Sequence, residues 1–378
     1  MKPEWSCLRD VTILDVSQLL PGPHAASLLG QLGADVIKIE NPETGDTSRL
    51  LGHSVFAQLN RGKRSVALDL KSAQGKADFL ELVKHADAVV EGFRPGVMQR
   101  LGLAYEDLAA VNPAIVMCSI SGFGQDGPYA KDAGHDLNYL ALSGYWAVPV
   151  QVHDKVSRPR ARISDFAASA YASLALSVAI MSARQSGRGQ HLDVSILDAI
   201  SSWTVQGAWG ARGLSQDALI NAPTVMPEND LFETRDGRHL AMGILENKFW
   251  VNLCEVLGDE FPALRDPRMA TRGQRLKIKA EVNALLVSVF ASKTLDEWSA
   301  RFADADVPYS PVLQADELFE DAQLKARQMV RHHADEGQIS VRFPVKFSAG
   351  LPDQSPAVPA LGEHNEEILK RPADANGS

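Results

Sequence analysis

The stretch VTILDVSQLLPGPHAASLLGQLGADVIKIE, residues 11–40, decides the fold of this 378-residue chain. VTILDVS (11–17) is apolar, β-branched and bounded by polar residues, which is typical of a buried strand. The Pro and Gly residues after it indicate a turn, HAASLLGQL has a helical composition that ends at Gly33, and VIKIE (36–40) is a second strand. A strand, a helix and a strand in this order predict a parallel α/β sheet.

The same alternation continues along the chain. Further strands are predicted at SVALDL (65–70), DAVVEGF (87–93) and AIVMCSISGFG (114–124). A long helix is predicted over 164–186, with Ser164 or Asp165 as its N-cap. These elements together predict a Rossmann-like large domain built on a parallel sheet.

A change of pattern divides the chain after this region. NAPTVMPEND (221–230) reads as a linker, and LFETRDGRHLAMGI after it predicts a hairpin that turns at Asp236-Gly237. Residues 246–330 are mostly helical in pattern. We therefore predict a large domain over 1–220, a smaller α+β domain over 221–330 and a C-terminal segment over 331–378.

Several function classes conflict with the sequence. The turn PGPHAAS lacks the GxGxxG fingerprint, which argues against a classical NAD site. The net charge of −9 supplies no face-wide basic excess, so we expect no nucleic-acid partner. The run FAASAYASLALSVAIMSA (166–183) is rich in Ala and Ser, and we interpret it as a buried helix, with no membrane partner.

The cysteines indicate the compartment. Cys7, Cys118 and Cys254 form no CxxC motif and no Cys/His metal spacing, so we predict no metal site. Three cysteines suit a reducing cytosol better than a disulfide scaffold, and MKPEWSCLRD contains no apolar signal core. The expected localisation is therefore cytoplasmic.

Two basic clusters stand next to predicted strands. NRGKRS (60–65) contains Arg61 and Lys63, and FRPGVMQRLG (93–102) contains Arg94 and Arg100. Loops at the strand ends of parallel sheets bind ligands, and guanidinium and ammonium groups suit phosphates. The alternative is ordinary solvated surface charge.

Three further residues have the right chemistry for catalysis, and each has a structural alternative. His135, in AGHDLNY, is either a base that faces a substrate or a partly buried histidine that Asp136 holds. Asp165 is either a helix cap or a carboxylate that acts on a ligand at the helix N-terminus. Glu246 is either an exposed residue in the first turn of a helix or a carboxylate that raises the pKa of His135.

The whole pattern resembles that of the family III CoA transferases, the superfamily that also contains α-methylacyl-CoA racemase. The similar segments, in the expected order, are DVSQLLPGPHAASLLGQLGADVIKIENPETGD, LNRGKRSVALDLK, DAVVEGFRPGVMQRLG, SISGFGQDGPY and LGEHNEEIL. Within the superfamily the racemases resemble this chain more closely. Their GHD-N-Y segment matches Gly134, His135, Asp136, Asn138 and Tyr139.

The resemblance implies a racemase of 2-methylacyl-CoA thioesters. His135 and Asp165 would remove and return the α-proton on opposite faces, with Glu246 orienting His135. No cofactor is expected beyond the coenzyme A moiety of the acyl-CoA substrate. The resemblance also implies an interlocked homodimer and a C-terminal segment that returns to the large, CoA-binding domain. The residues it implies for CoA binding are Lys38, Arg61, Lys63, Arg94 and Arg100.

Two alternatives come from the same resemblance. In a family III CoA transferase, Asp165 alone would attack the thioester and form acyl-enzyme anhydrides, moving CoA between carboxylic acids. In a non-catalytic CoA-binding protein the fold would persist without the chemistry. Fold alone does not distinguish these functions, because function depends on the site.

Overall fold

The core of the molecule is a sheet of six parallel strands, as the sequence predicts. The structure is a computed structural model that describes residues 8–333, 338–352 and 357–369. The strands of this sheet are β1 (Thr12–Asp15), β2 (Asp35–Glu40), β3 (Arg64–Ala67), β4 (Ala88–Glu91), β5 (Val116–Ser121) and β6 (His191–Ser195). The predicted strands within 11–124 are therefore confirmed, most of them shorter than the apolar runs that predict them.

The strand order is β3-β2-β1-β4-β5-β6. From β1 the chain moves outward to β2 and β3, and then it returns to place β4 on the other side of β1. The loops that leave β1 and β4 consequently diverge and open a crevice at the carboxyl ends of these strands. Ile13, Leu14, Val89 and Val90 are fully buried, so the strands beside the crevice are rigidly packed.

Sixteen α-helices accompany the strands in the described residues. They are α1 (Pro21–Gln31), α2 (His53–Asn60), α3 (Ala73–Val83), α4 (Val97–Leu101), α5 (Tyr105–Val111), α6 (Asp136–Leu142), α7 (Ile163–Ser186), α8 (Ile196–Ala211), α9 (Gln216–Ile220), α10 (Asn247–Leu257), α11 (Arg272–Arg275), α12 (Lys279–Phe290), α13 (Leu295–Phe302), α14 (Ala315–Glu320), α15 (Ala322–Arg327) and α16 (Asn365–Leu369). Short 3-10 helices lie at Thr47–Leu51, Pro262–Arg265 and Pro267–Met269.

Two helix starts differ from the sequence-based expectation. Helix α1 begins at Pro21, inside the segment that we predicted as a turn, because proline suits the first helical position, where no N–H partner is needed. Helix α7 begins at Ile163 with Arg162 as the cap residue, so Ser164 and Asp165 lie in its first turn. The predicted N-cap is therefore wrong by two or three residues, and the carboxylate of Asp165 is not used as the cap.

Helix α7 is buried on one face only. Ala168, Ala172 and Leu176 are buried, whereas Leu174, Val178 and Met181 are exposed along the opposite side. By length and composition it is the one helix of the described chain that could cross a membrane, and 44% of its most apolar window is buried within the protein. An interlocked homodimer, which stays a prediction, is one way to cover the exposed side.

The described residues form two compact units. The first contains residues 8–145, 158–205 and those from 322 onward, and the second contains 146–157 and 206–321. The boundary at 205 falls inside α8. These units are groups of residues in mutual contact, and the predicted domain limits at 220 and 330 stay a prediction.

The second unit contains a small antiparallel sheet and most of the later helices. Its strands are β7 (Leu231–Glu233), β8 (His239–Met242) and β9 (Tyr309–Pro311), with β8 in the centre. The predicted hairpin is confirmed, and Gly237 has the positive φ that its turn requires. Trp250 and Trp298 are buried in the core of this unit. The two remaining strands, β10 (Val330–His333) and β11 (Gln338–Val341), pair with each other in the first unit.

The segment LGEHNEEIL covers the exposed edge of the parallel sheet. β3 is an edge strand, and its outward backbone groups need partners. The backbone N–H of His364 donates to the Ser65 carbonyl (2.9 Å), and the Ala67 N–H donates to the Asn365 side-chain oxygen (2.8 Å). The C-terminal segment therefore takes the place of a seventh strand.

The substitution Asn365→Ala tests this edge cover. It removes the acceptor for the Ala67 N–H and should lower the free energy of unfolding by about 1–2 kcal/mol. Glu367→Ala, in the same helix, only breaks an exposed ion pair with Arg64 and should cost less than about 0.5 kcal/mol. Chemical denaturation of both variants measures the difference. Equal losses would contradict the assigned role of Asn365.

Candidate active site

A pocket of the first unit lies at the carboxyl ends of the central strands. Its volume is about 850 Å³. It is lined by the loop after β1 (Gln18–Gly22), the loop after β4 (Gly92–Pro95) and the end of β5 (Ser121, Gly122). The segments that begin α6 and α7 complete it through His135, Arg162 and Asp165. This is the crevice that the strand order opens, so it is the expected ligand site of such a sheet.

Asp136 joins the starts of the two helices at the pocket. Its Oδ1 atom accepts hydrogen bonds from the Ser164 backbone N–H (2.9 Å) and the Ser164 hydroxyl (2.6 Å). The side chain of Asp136, in α6, thus caps α7. Arg162, the N-cap residue of α7, makes no capping hydrogen bond with its own side chain. The bond fixes the first turn of α7 and hence the position of Asp165.

Asp165 is a buried carboxyl group with a perturbed pKa. Its side chain lines the pocket, yet the residue is only 9% exposed. Burial, followed by the nearby charge of Asp136, raises its pKa from 3.8 to about 6, and Arg162 opposes this shift. At neutral pH the group is therefore mostly ionised while it lacks much of the hydration that stabilises a surface carboxylate. Such groups are candidates for catalytic bases and nucleophiles.

His135 lies at the pocket but is not held by Asp136. The residue is exposed and lies at the N-cap of α6, where its backbone N–H donates to Asn138 Oδ1 (3.0 Å). The Asp136 carboxylate is directed instead to Ser164. His135 and Asp165 line the same pocket, and the catalytic role predicted for His135 stays a prediction.

The glycines around the motif make room for Tyr139. A side chain at Gly122 or at Gly134 would collide with the Tyr139 ring. Burial and the charge of Asp165 raise the pKa of Tyr139 to about 12, with Arg94 opposing. The phenol therefore stays neutral and forms part of the pocket wall. The AGHDLNY motif therefore contributes to the packing around Tyr139 as well as to the lining of the pocket.

Arg94 lies at the pocket. It is exposed and lines the pocket, in the loop after β4. The buried carboxylate of Glu91 accepts the Phe93 N–H (2.7 Å) and thereby shapes this loop. Arg100, in α4, is exposed but is not among the lining residues. CoA binding by either arginine stays a prediction.

Lys38 and Lys63, which were predicted to bind CoA, lie in the interior, and their contact with CoA stays a prediction. Both are buried, and Lys38 Nζ lies 3.4 Å from Asp15 and 2.8 Å from Asp46, while Lys63 Nζ lies 2.8 Å from Asp15. Burial opposes both charges, yet the two carboxylates outweigh it at Lys38 and raise its pKa. The two ammonium groups thus neutralise buried carboxylates.

Two other predicted residues are not among those that line this pocket. Arg61 is buried at the C-terminal end of α2. Glu246 is exposed at the N-cap of α10, in the second unit. Their proposed contacts with CoA and with His135 stay predictions.

Sequence reasoning missed two residues of the pocket. Arg162 lines it three positions before Asp165, although ARISD carries no pattern that distinguishes it from a surface arginine. Leu19 has a φ of 64°, in the left-handed region that a leucine seldom adopts, and its N–H donates to Asp46 Oδ1 (3.2 Å). A strained backbone leaves no trace in residue type, so no signal in the sequence indicates it.

Comparison with known proteins identifies the family. A family model described as CoA-transferase family III matches residues 8–365. The chain is 34% identical over 386 residues to an acyl-CoA transferase of Fusarium pseudograminearum, covering 96% of this chain and 84% of that protein. It is 32% identical over 391 residues to a succinate–glutarate CoA-transferase of Agrobacterium fabrum, covering 97% and 95%. The chain belongs to CoA-transferase family III and is an enzyme of that family.

A solved structure supports the same assignment. A CAIB/BAIF family protein from Brucella suis superimposes with a TM-score of 0.83 at 30% identity, covering 96% of this chain and 98% of that one. The predicted family and the α/β fold are confirmed. The expectation of a racemase is not supported, because the relatives are named CoA-transferases, and the transferase alternative fits better.

The raised pKa of Asp165 predicts a pH-dependent stability. Since the folded state holds this proton more tightly than the unfolded state, stability falls as pH rises from 3.8 to about 6. Asp165→Asn removes the cost of burying an ionised carboxylate. The gain in free energy of unfolding over wild type should therefore be up to about 3 kcal/mol larger at about pH 8 than at about pH 4. Denaturant titrations at both pH values measure this.

The matched control for this prediction is Asp132→Asn. It removes an exposed carboxylate from the same pocket and should change the free energy of unfolding by less than about 0.5 kcal/mol at either pH. If Asp165→Asn gave the same stability change at both pH values, the buried, perturbed state of Asp165 would be refuted.

Proposed function

We propose that this protein transfers CoA between carboxylic acids with Asp165 as the nucleophile. The observation that carries the proposal is a carboxylate that lines an 850 Å³ pocket while being only 9% exposed. The printed activities of the relatives support the class, since one is a succinate–glutarate CoA-transferase and another an acetyl-CoA:oxalate CoA-transferase.

The reaction proceeds through two anhydrides. The Asp165 carboxylate attacks the thioester carbonyl of the donor, and the C–S bond breaks to release CoA thiolate. The thiolate then attacks the Asp165 carbonyl of this anhydride, which gives an aspartyl-CoA thioester and frees the donor acid. The acceptor carboxylate attacks that thioester to form a second anhydride and thiolate. Attack of the thiolate on the acceptor carbonyl forms the new acyl-CoA and restores Asp165.

The surroundings of Asp165 suit this chemistry. A pKa of about 6 leaves the carboxylate ionised at neutral pH but more basic, and so more nucleophilic, than an ordinary aspartate. Asp165 lies in the first turn of α7, where the helix dipole favours the negative charge that develops on the attacked carbonyl. Arg94, at the loop after β4, binds the phosphates of CoA in this account.

Trapping of the enzyme-bound intermediate tests the proposal. Incubation with an acyl-CoA, followed by hydroxylamine or borohydride and peptide mass spectrometry, should modify Asp165. Asp165→Ala should lose the modification and at least about a thousandfold in transfer rate, as expected when a nucleophile is removed. Asp132→Ala, which removes an exposed carboxylate of the same pocket, should retain both.

His135→Ala distinguishes transfer from racemisation. In a transferase it should keep transfer within about tenfold of the wild-type rate, because an exposed imidazole that takes no part in anhydride formation contributes only to binding. Exchange of the substrate α-proton into deuterated water that depends on His135, without modification of Asp165, would contradict the proposed function.

A further inference from the structure

Two arginines line the pocket in the described part of the chain, at separate places. Arg94 follows β4, whereas Arg162 occupies the N-cap position of α7, three residues before Asp165. Both side chains are exposed. Among the described residues the guanidinium of Arg162 has no ion pair or side-chain hydrogen bond. Its charge lowers the pKa of Asp165. Arg162 is therefore a cation free to bind a ligand next to the nucleophile.

The charges around the nucleophile make such a cation necessary. Asp165 and Asp136 are buried there, and Asp132 lines the same pocket. When the acceptor enters, Asp165 is a neutral thioester, and the carboxylates of Asp136 and Asp132 remain to repel an anion that must approach Asp165 closely. Arg162 supplies an opposing charge, since it lowers the pKa of Asp165 against the effects of burial and Asp136.

The reaction changes the charge that Arg162 faces. Once Asp165 is part of an anhydride or thioester its negative charge is gone, so the acceptor is the anion that Arg162 attracts when it enters. The reacting carboxylate of the acceptor also loses its charge as the new anhydride forms. A second carboxylate on the acceptor would keep its charge throughout, and the guanidinium group pairs well with a carboxylate.

We propose that Arg162 selects dicarboxylic acids as CoA acceptors by binding the carboxylate that does not react. The assignment rests on the proposed transfer through Asp165. It makes Arg162 a specificity residue and leaves the phosphates of CoA to Arg94.

The test compares a four-carbon dicarboxylate with the matching monocarboxylate as acceptors. Wild type should favour the dicarboxylate in kcat/KM by at least about tenfold. Arg162→Gln should lose about tenfold to a hundredfold with the dicarboxylate and less than about threefold with the monocarboxylate. Arg162→Lys, which keeps the charge, should have a kcat/KM for the dicarboxylate between those of wild type and Arg162→Gln. Arg160→Gln, an exposed arginine of the same segment outside the pocket lining, should match wild type.

Three results would overturn the proposal. Equal losses with both acceptors would mean that Arg162 acts on the reacting carboxylate, unchanged rates would mean that it binds no acceptor, and a loss confined to the acyl-CoA donor would mean that it binds CoA. Trapping at Asp165 with the donor alone needs no acceptor, so its failure would refute the proposed function separately. Intact trapping with an unchanged acceptor preference would refute only the role of Arg162.

Discussion

The site depends on one carboxylate, that of Asp136, which caps a helix other than its own. By accepting two hydrogen bonds from Ser164 it joins the start of α6 to the start of α7. The same charge lies close enough to Asp165 to raise its pKa, in addition to the effect of burial. Position and reactivity of the candidate nucleophile therefore have a common origin, and a change at Asp136 should alter both.

The sheet explains why the pocket lies where it does. The order β3-β2-β1-β4-β5-β6 separates the loops after β1 and β4, and the pocket occupies the gap. Beneath it, Lys38 and Lys63 neutralise Asp15 and Asp46, so polar strand ends are buried without unpaired charge. The C-terminal segment closes the far edge at β3. Rigid support of this kind lets loops with irregular backbone, such as that of Leu19, carry the ligand site.

Much of this could be predicted from the sequence, because apolar periodicity reports strands and helices directly. The strands at 11–17 and 87–93, the hairpin at Asp236-Gly237 and the family follow from local pattern and motif order. The buried ion pairs of Lys38 and Lys63 could not be predicted in this way, since the residue type is the same whether a lysine binds a phosphate or a buried aspartate. The capping of α7 by Asp136 joins residues 28 positions apart, which no local signal encodes. The prediction of a racemase depends on His135, Asp165 and Glu246 together, and the AGHDLNY motif that contains His135 also has structural roles, at Gly134 and Asp136.

Burial and the Asp136 charge together set the ionisation of Asp165. Carbon-13 NMR titration of the aspartate carboxyl groups, with the Asp165 signal assigned by its loss in Asp165→Asn, measures this directly. We expect a pKa of about 6 for Asp165 in wild type and a lower value in Asp136→Asn, whose side-chain oxygen still accepts from Ser164 while the charge is gone. An Asp165 pKa near the ordinary 3.8 in wild type, or one that Asp136→Asn leaves unchanged, would contradict the account.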